Sequence, residues 1–115
     1  MKKLSIYIHI PFCTHKCSYC NFVSFCNAND RKDDYIKALC KEINLRGKEY
    51  GKYYDITSVY IGGGSPSSLK EGQVAKIMGE LKNNFRLLPS AEISIELNPE
   101  TITEKKLLEY KLVGI

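Results

Sequence analysis

Residues 4–10 of the chain read Leu-Ser-Ile-Tyr-Ile-His-Ile, a strict period of two. The alternation predicts a strand with Leu4, Ile6, Ile8 and Ile10 on one face and Ser5, Tyr7 and His9 on the other. Pro11 ends it, because proline cannot donate to a ladder. From about Asn29 and Asp30 the period changes to that of a helix. Asp33 and Asp34 suit its N-terminal dipole, and Ile36, Leu39, Cys40 and Ile43 form an apolar stripe reaching to about Gly47 or Gly51. A second strand, residues 56–61, runs into Gly62-Gly63-Gly64-Ser65-Pro66. A Ser68-Leu69-Lys70-Glu71 capping box then predicts a helix with Val74, Ile77, Met78, Leu81 and Phe85 buried. The third strand is expected over Glu92–Asn98, with Ile93, Ile95 and Leu97 opposed to Ser94, Glu96 and Asn98 and a stop at Pro99. Thr101-Ile102-Thr103-Glu104 repeats the capping pattern before a helix carrying Leu107, Leu108 and Leu112.

Strands alternating with helices at this interval predict a parallel sheet, since parallel neighbours need crossover connections. Strands covered on both faces would read as continuous apolar runs. These instead keep one aliphatic face and one face with Tyr7, His9, Ser58, Tyr60, Ser94 and Glu96, as a barrel interior holding a polar ligand requires. The expected fold is therefore α/β, the N-terminal portion of a partial TIM-like (β/α) barrel with parallel strands and outer helices. Its site should lie at the C-terminal strand ends. The ending Leu112-Val113-Gly114-Ile115 reads as a helix terminator followed by the first residue of a strand. Residues 1–115 are accordingly expected to be one incomplete domain, truncated after its third helix and inactive alone.

Composition narrows the classes. The chain is 43% hydrophobic and 26% charged, and no apolar run approaches the length of a membrane span. Met1-Lys2-Lys3 leads straight into the alternating strand without the apolar core of a secretory signal, so a cytoplasmic location is expected. The formal net charge is +4, but the lysines are scattered along helices, which argues against nucleic acid as a partner. Five cysteines, an odd number clustered toward the N-terminus, favour metal over disulfides.

Cys13, Cys17 and Cys20 are spaced C-x3-C-x2-C in one loop after the first strand. Three thiolates so spaced can hold three irons of a [4Fe-4S] cluster and leave the fourth without a protein ligand. The competing readings are a structural zinc site completed by His15, His9 or Cys26, or cysteines acting as small hydrophobes. Zinc sites usually pair two short knuckles, and no second knuckle is present. Cys26 is read as a non-ligand, and Cys40, on the helical stripe, as a buried hydrophobe. The Gly62–Pro66 turn lacks both the P-loop ending and the G-x-G-x-x-G spacing, and its bare backbone gives a small polar ligand room to approach. Glu96 in a barrel interior needs a cation or hydroxyl donors, unless that face is simply wet. Tyr7 and His9 carry the same two readings.

Taken together, Tyr7-Ile8-His9-Ile10-Pro11-Phe12-Cys13 through Cys20-Asn21-Phe22, Ile61-Gly62-Gly63-Gly64-Ser65-Pro66-Ser67 and Ile93-Ser94-Ile95-Glu96-Leu97-Asn98-Pro99-Glu100 resemble the radical S-adenosylmethionine superfamily. Within it they resemble the branch of oxygen-independent coproporphyrinogen III dehydrogenase and the HemW-type haem chaperone. The resemblance implies a radical SAM core in which Cys13, Cys17 and Cys20 bind the cluster and S-adenosyl-L-methionine chelates the open iron. By the same resemblance Tyr7 lies near the sulfonium or carboxylate, Tyr19 near the adenine, Gly63, Gly64 and Ser65 along the methionine portion, and Glu96 at the cofactor's polar groups. Reductive cleavage to a 5'-deoxyadenosyl radical would follow, with an electron donor such as flavodoxin or ferredoxin and with haem or a small-molecule substrate as partner. The dehydrogenase carries a further cysteine two residues after the third, where this chain has Phe22, and it has a longer N-terminal extension. Both differences favour the chaperone side. The alternatives are the dehydrogenase itself or a related C-methylating or decarboxylating enzyme of porphyrin biosynthesis, and a zinc-stabilised α/β domain without catalysis.

Overall fold

The alternating N-terminal run forms a nine-residue strand, β1 (Lys2–Ile10), and its aliphatic side chains point to one face. A computed structural model describes residues 2–13, 25–26, 29–99 and 101–115, with backbone alone for Cys13, Phe25, Cys26, Asn29 and Asp30. The element order is β1, β2 (Phe12–Cys13), β3 (Phe25–Cys26), α1 (Asn29–Tyr50), β4 (Tyr54–Gly63), a 3-10 turn (Pro66–Ser68), α2 (Gln73–Asn84), β5 (Arg86–Ile95) and α3 (Glu104–Leu112). Strands β1, β4 and β5 form one sheet in that spatial order, and both pairings are parallel. Strands β2 and β3 make a separate parallel pair that sets the backbones of Cys13 and Cys26 side by side.

Helices α1 and α2 each return the chain to the start of the next parallel strand, so they collect on one face of the sheet. Ile8 and Ile10 of β1, Ile56, Val59 and Ile61 of β4, Ile36 and Ile43 of α1, and Val74, Ile77, Met78 and Leu81 of α2 bury against one another there. Ile56 and Val59 share that face despite their odd spacing. The register slips between Leu4/Ser5 and Ile56/Ser58, so Thr57 bulges out and the parity resets. The opposite face carries Ser5, Tyr7, Ser58 and Tyr60. Tyr7 and Tyr60 are 57% and 45% exposed, so this face is open rather than sandwiched.

Four local expectations change. The Ser68 capping box does not form: Ser68 is buried in the 3-10 turn that Pro66 opens, and Leu69 is a core residue. Helix α2 begins at Gln73, after Gly72 in the left-handed region, and its first amides are capped from a distance by Glu109 of α3. Strand β5 begins six residues earlier than the alternation suggests and ends at Ile95. Between Ile56/Ser58 and Leu87/Glu92 it carries an irregularity that absorbs Pro89. In α3 the cap is Thr103, whose hydroxyl accepts from the Lys106 N–H, rather than Thr101. Leu107, Leu108 and Leu112 are exposed, and the residue α3 buries is Tyr110. Gly114 does terminate that helix, at φ +98°.

Candidate functional site

The C-terminal ends of the three strands converge through the glycine run. The Gly64 N–H donates to Ile10 O at 2.8 Å and the Ser65 N–H to Phe12 O at 2.6 Å, which fastens the turn after β4 to the exit of β1. The Glu96 N–H donates to Ile61 O at 3.0 Å, so the chain leaving β5 stays alongside β4 and swings the Glu96 side chain across its end. There the Gly63 N–H donates to Glu96 Oε1 at 2.9 Å. The N–H groups of residues 63, 64 and 65 are thus all satisfied by the chain itself.

The glycines make this closure sterically possible. Gly63 has φ +118°, and a Cβ there would lie 2.6 Å from Ile10 O and 2.9 Å from His9 Nδ1. A Cβ at Gly62 would strike Glu96 Oε1 and the Tyr60 ring. The space that the bare backbone was expected to leave for a ligand is therefore filled, at Gly62 and Gly63, by the protein's own groups.

Tyr7 and Tyr60 are register partners on β1 and β4, and their rings stack with centroids 5.9 Å apart and planes 16° apart. Tyr7 Oη is hydrogen-bonded to His9 Nδ1 at 3.0 Å, and the Tyr35 hydroxyl of α1 donates to the His9 carbonyl. Desolvation, followed by the charge of the neighbouring Glu96 carboxylate, pushes the Tyr60 phenol above the ordinary tyrosine range. Ser65 is 4% exposed, and its Oγ has no hydrogen-bond partner among the described residues.

Of the expected site residues, Tyr7, Gly63, Gly64, Ser65 and Glu96 all lie at this one end of the sheet. Cys17, Cys20 and Tyr19 are outside the described residues, as is the side chain of Cys13. Among the described residues no three His, Cys, Asp or Glu side chains are grouped to hold a metal ion.

Sequence reasoning gave Tyr60 no role at the site, although its place on the polar face of β4 was legible. It also missed two lysines around the 3-10 turn. Lys32 Nζ donates to Ser68 O at 2.8 Å, and Lys106 Nζ donates to Ser67 O at 2.7 Å and Thr101 O at 3.0 Å. Desolvation lowers the pKa of both, and for Lys32 the charges of Lys106 and Lys70 add to it. No local sequence signal marks them, because each reaches the turn from a different helix.

The groups facing the strand ends suit a cationic, hydroxyl-bearing ligand. Glu96 is an acceptor, the tyrosine pair offers flat aromatic surface, and the Ser65 hydroxyl is buried and unpartnered. An ammonium and ribose hydroxyls would complement that set. S-adenosyl-L-methionine has both, so the described residues fit it.

Residues 7–115 match the Radical SAM superfamily. The chain is 41% identical over 113 residues to a heme chaperone HemW of Buchnera aphidicola, a match spanning 97% of this chain and 30% of that protein. It is 38% identical over 114 residues to the heme chaperone HemW of Bacillus subtilis, spanning 96% and 29%. Among solved structures it superposes on coproporphyrinogen III oxidase (HemN) of Escherichia coli, described as a Radical SAM enzyme, with a TM-score of 0.91 and 32% identity. That likeness covers 99% of this chain and 26% of the other, so the three parallel strands and their helices correspond to part of its barrel. The chain spans about 30% of the length of the curated relatives it matches.

Proposed function

This chain belongs to the Radical SAM superfamily, and on that premise we propose that it is the cofactor-binding part of a HemW-type haem chaperone. Cys13, Cys17 and Cys20 hold a [4Fe-4S] cluster, and Tyr7, Tyr19, Gly63, Gly64, Ser65 and Glu96 line the S-adenosyl-L-methionine site. Residues 1–115 form part of one radical SAM core domain. The observation that carries this reading is the closure of Glu96 onto the Gly63 N–H beside the β1 exit, where the cysteine loop begins.

With one oxygen anchored on Gly63, the Glu96 carboxylate offers a negative charge to an ammonium group. The stacked Tyr7 and Tyr60 rings form the adjoining wall. Ser65 Oγ supplies a donor or acceptor from a buried position. When bound, the cluster and cofactor supply one-electron reductive cleavage of the sulfonium. Phe22, standing where the dehydrogenase pattern has a further cysteine, supports the chaperone over the oxidase. Haem is then the cargo, a flavodoxin or ferredoxin the electron donor, and the cytoplasm the setting. No helix among the described residues is long and apolar enough to cross a membrane.

A second reading, an oxygen-independent coproporphyrinogen III oxidase, is favoured by the superposition on the E. coli enzyme. Anaerobic reconstitution with iron and sulfide, followed by haem titration and an assay with coproporphyrinogen III, tests both. The chaperone reading expects cluster absorption, lost in Cys17→Ala, stoichiometric haem binding and no decarboxylation. Decarboxylation would replace it with the oxidase, and uptake of zinc without reducible iron-sulfur absorption would remove both.

A further inference from the structure

Tyr60 stands at the centre of the open face, on the middle strand, between two groups already assigned to the cofactor. Its ring stacks on Tyr7 at 5.9 Å, and that tyrosine is itself held by His9 at 3.0 Å. Toward β5 the edge of the Tyr60 ring and Glu96 Oε1 both lie where a Cβ of Gly62 would be, so the two side chains meet over a residue with no side chain of its own. Glu96 is otherwise an exposed carboxylate beyond the end of β5, with a backbone anchor at Gly63. A glutamate held by a single hydrogen bond keeps considerable rotamer freedom. A neighbouring ring that bounds it on one side, with the phenol close enough to feel the carboxylate's charge, narrows that freedom before any ligand arrives.

We propose that Tyr60 is a positioning residue: braced by Tyr7, it orients the Glu96 carboxylate toward the cation bound at the strand ends. This deepens the reading above and rests on it. Tyr60 acts through Glu96 rather than on the reacting atoms. The coupling also works on the tyrosine, since the carboxylate beside it contributes to the raised pKa of its phenol. Gly62 is part of the device, because any side chain there would separate the ring from the carboxylate.

The test uses the protein reconstituted with its cluster, with S-adenosyl-L-methionine as the probe and binding read by equilibrium dialysis and by the change it makes in the EPR spectrum of the reduced cluster. Tyr60→Phe keeps the stacked ring and removes the hydroxyl. It should weaken binding about fivefold to tenfold, the scale of one polar contact to a charged group, with iron content and melting temperature unchanged. In a Glu96→Gln background the same change should have less than a twofold effect. In cluster-free protein carrying 13C-labelled tyrosine, the Tyr60 phenol should titrate above the ordinary range and fall toward it in Glu96→Gln. Binding by Tyr60→Phe within twofold of the parent, or an equal loss in both backgrounds, overturns the role of Tyr60 and leaves the site reading intact. A parent protein whose cluster spectrum does not respond to the probe overturns the site reading and the inference with it.

Discussion

The Gly63 N–H and the Glu96 carboxylate meet across the ends of adjacent parallel strands, Oε1 lying 2.9 Å from the amide nitrogen. The pair depends on glycine for two reasons. The residue sits at φ +118°, and its α-carbon faces the backbone of β1, where neither Ile10 O nor Ile10 N can move without breaking the β1 pairing. Gly63→Ala should therefore destabilise the protein by about 2–4 kcal/mol, combining left-handed strain with overpacking. Gly79→Ala is the control. That glycine is exposed within α2, with open space around it, so alanine should add about 0.5–1 kcal/mol. Urea unfolding of the two variants checks both signs.

Glu109 is expected to matter for stability although it lies at the surface of α3. Its Oε1 accepts from the Gly72 N–H at 2.6 Å and its Oε2 from the Ala75 N–H at 2.9 Å. Those amides open α2, which has no side-chain cap of its own. A carboxylate there satisfies two orphan donors and faces the positive end of the helix dipole. Glu109→Ala should cost about 1–2 kcal/mol, and Glu109→Gln, which keeps one acceptor, roughly half as much. Amide exchange at residues 72–77 should accelerate in both variants. Unchanged exchange there would remove the capping role.

That cap also shows how far the sequence could be read. Period-two and helical patterns located all three long strands and all three helices, because the spacing of apolar positions identifies the element even where it does not say which face is covered. Glu96 was legible as a carboxylate on the polar side of an alternating strand, and the glycine run because the second strand's pattern stops there. The α2 start was not legible, since the group that caps it comes from Glu109, 37 residues past Gly72, and the local Ser68 pattern is diverted into a 3-10 turn by Pro66. The first half of β5 was hidden by Pro89, which a strand tolerates only where its pairing is interrupted. Leu107 and Leu108 misled because a leucine pair marks a helix face without saying whether this segment covers it. The role of Tyr60 depends on its contacts with Tyr7 and Glu96, two strands on either side, which no single segment contains.

Cys40 should behave as packing. It sits partly buried on α1 against the core, and desolvation raises its thiol pKa, which keeps the nucleophilic thiolate scarce near neutral pH. Cys40→Ala should leave the reconstituted iron content unchanged and reduce stability by about 1 kcal/mol. A fall in iron content in that variant would assign this cysteine to the cluster.

Tyr110 provides a pH-dependent test of the α3 contact. It is 4% exposed, its hydroxyl has no partner among the described residues, and burial, with a smaller push from Glu109, raises its phenol from 10.0 to about 12. The native state then holds this proton after the unfolded chain has lost it. Stability should fall as pH rises from about 10 through about 12, because the unfolded state binds fewer protons in that window. Tyr110→Phe removes both the unpartnered hydroxyl and the titration. At pH 8 the variant should be as stable as the parent or more stable by about 1 kcal/mol. Between pH 10 and pH 12 its advantage should widen, measured as the difference in urea midpoint between variant and parent at each pH. A constant difference across that range would show that the Tyr110 phenol titrates equally in the folded and unfolded chains, and that α3 does not seal it from water.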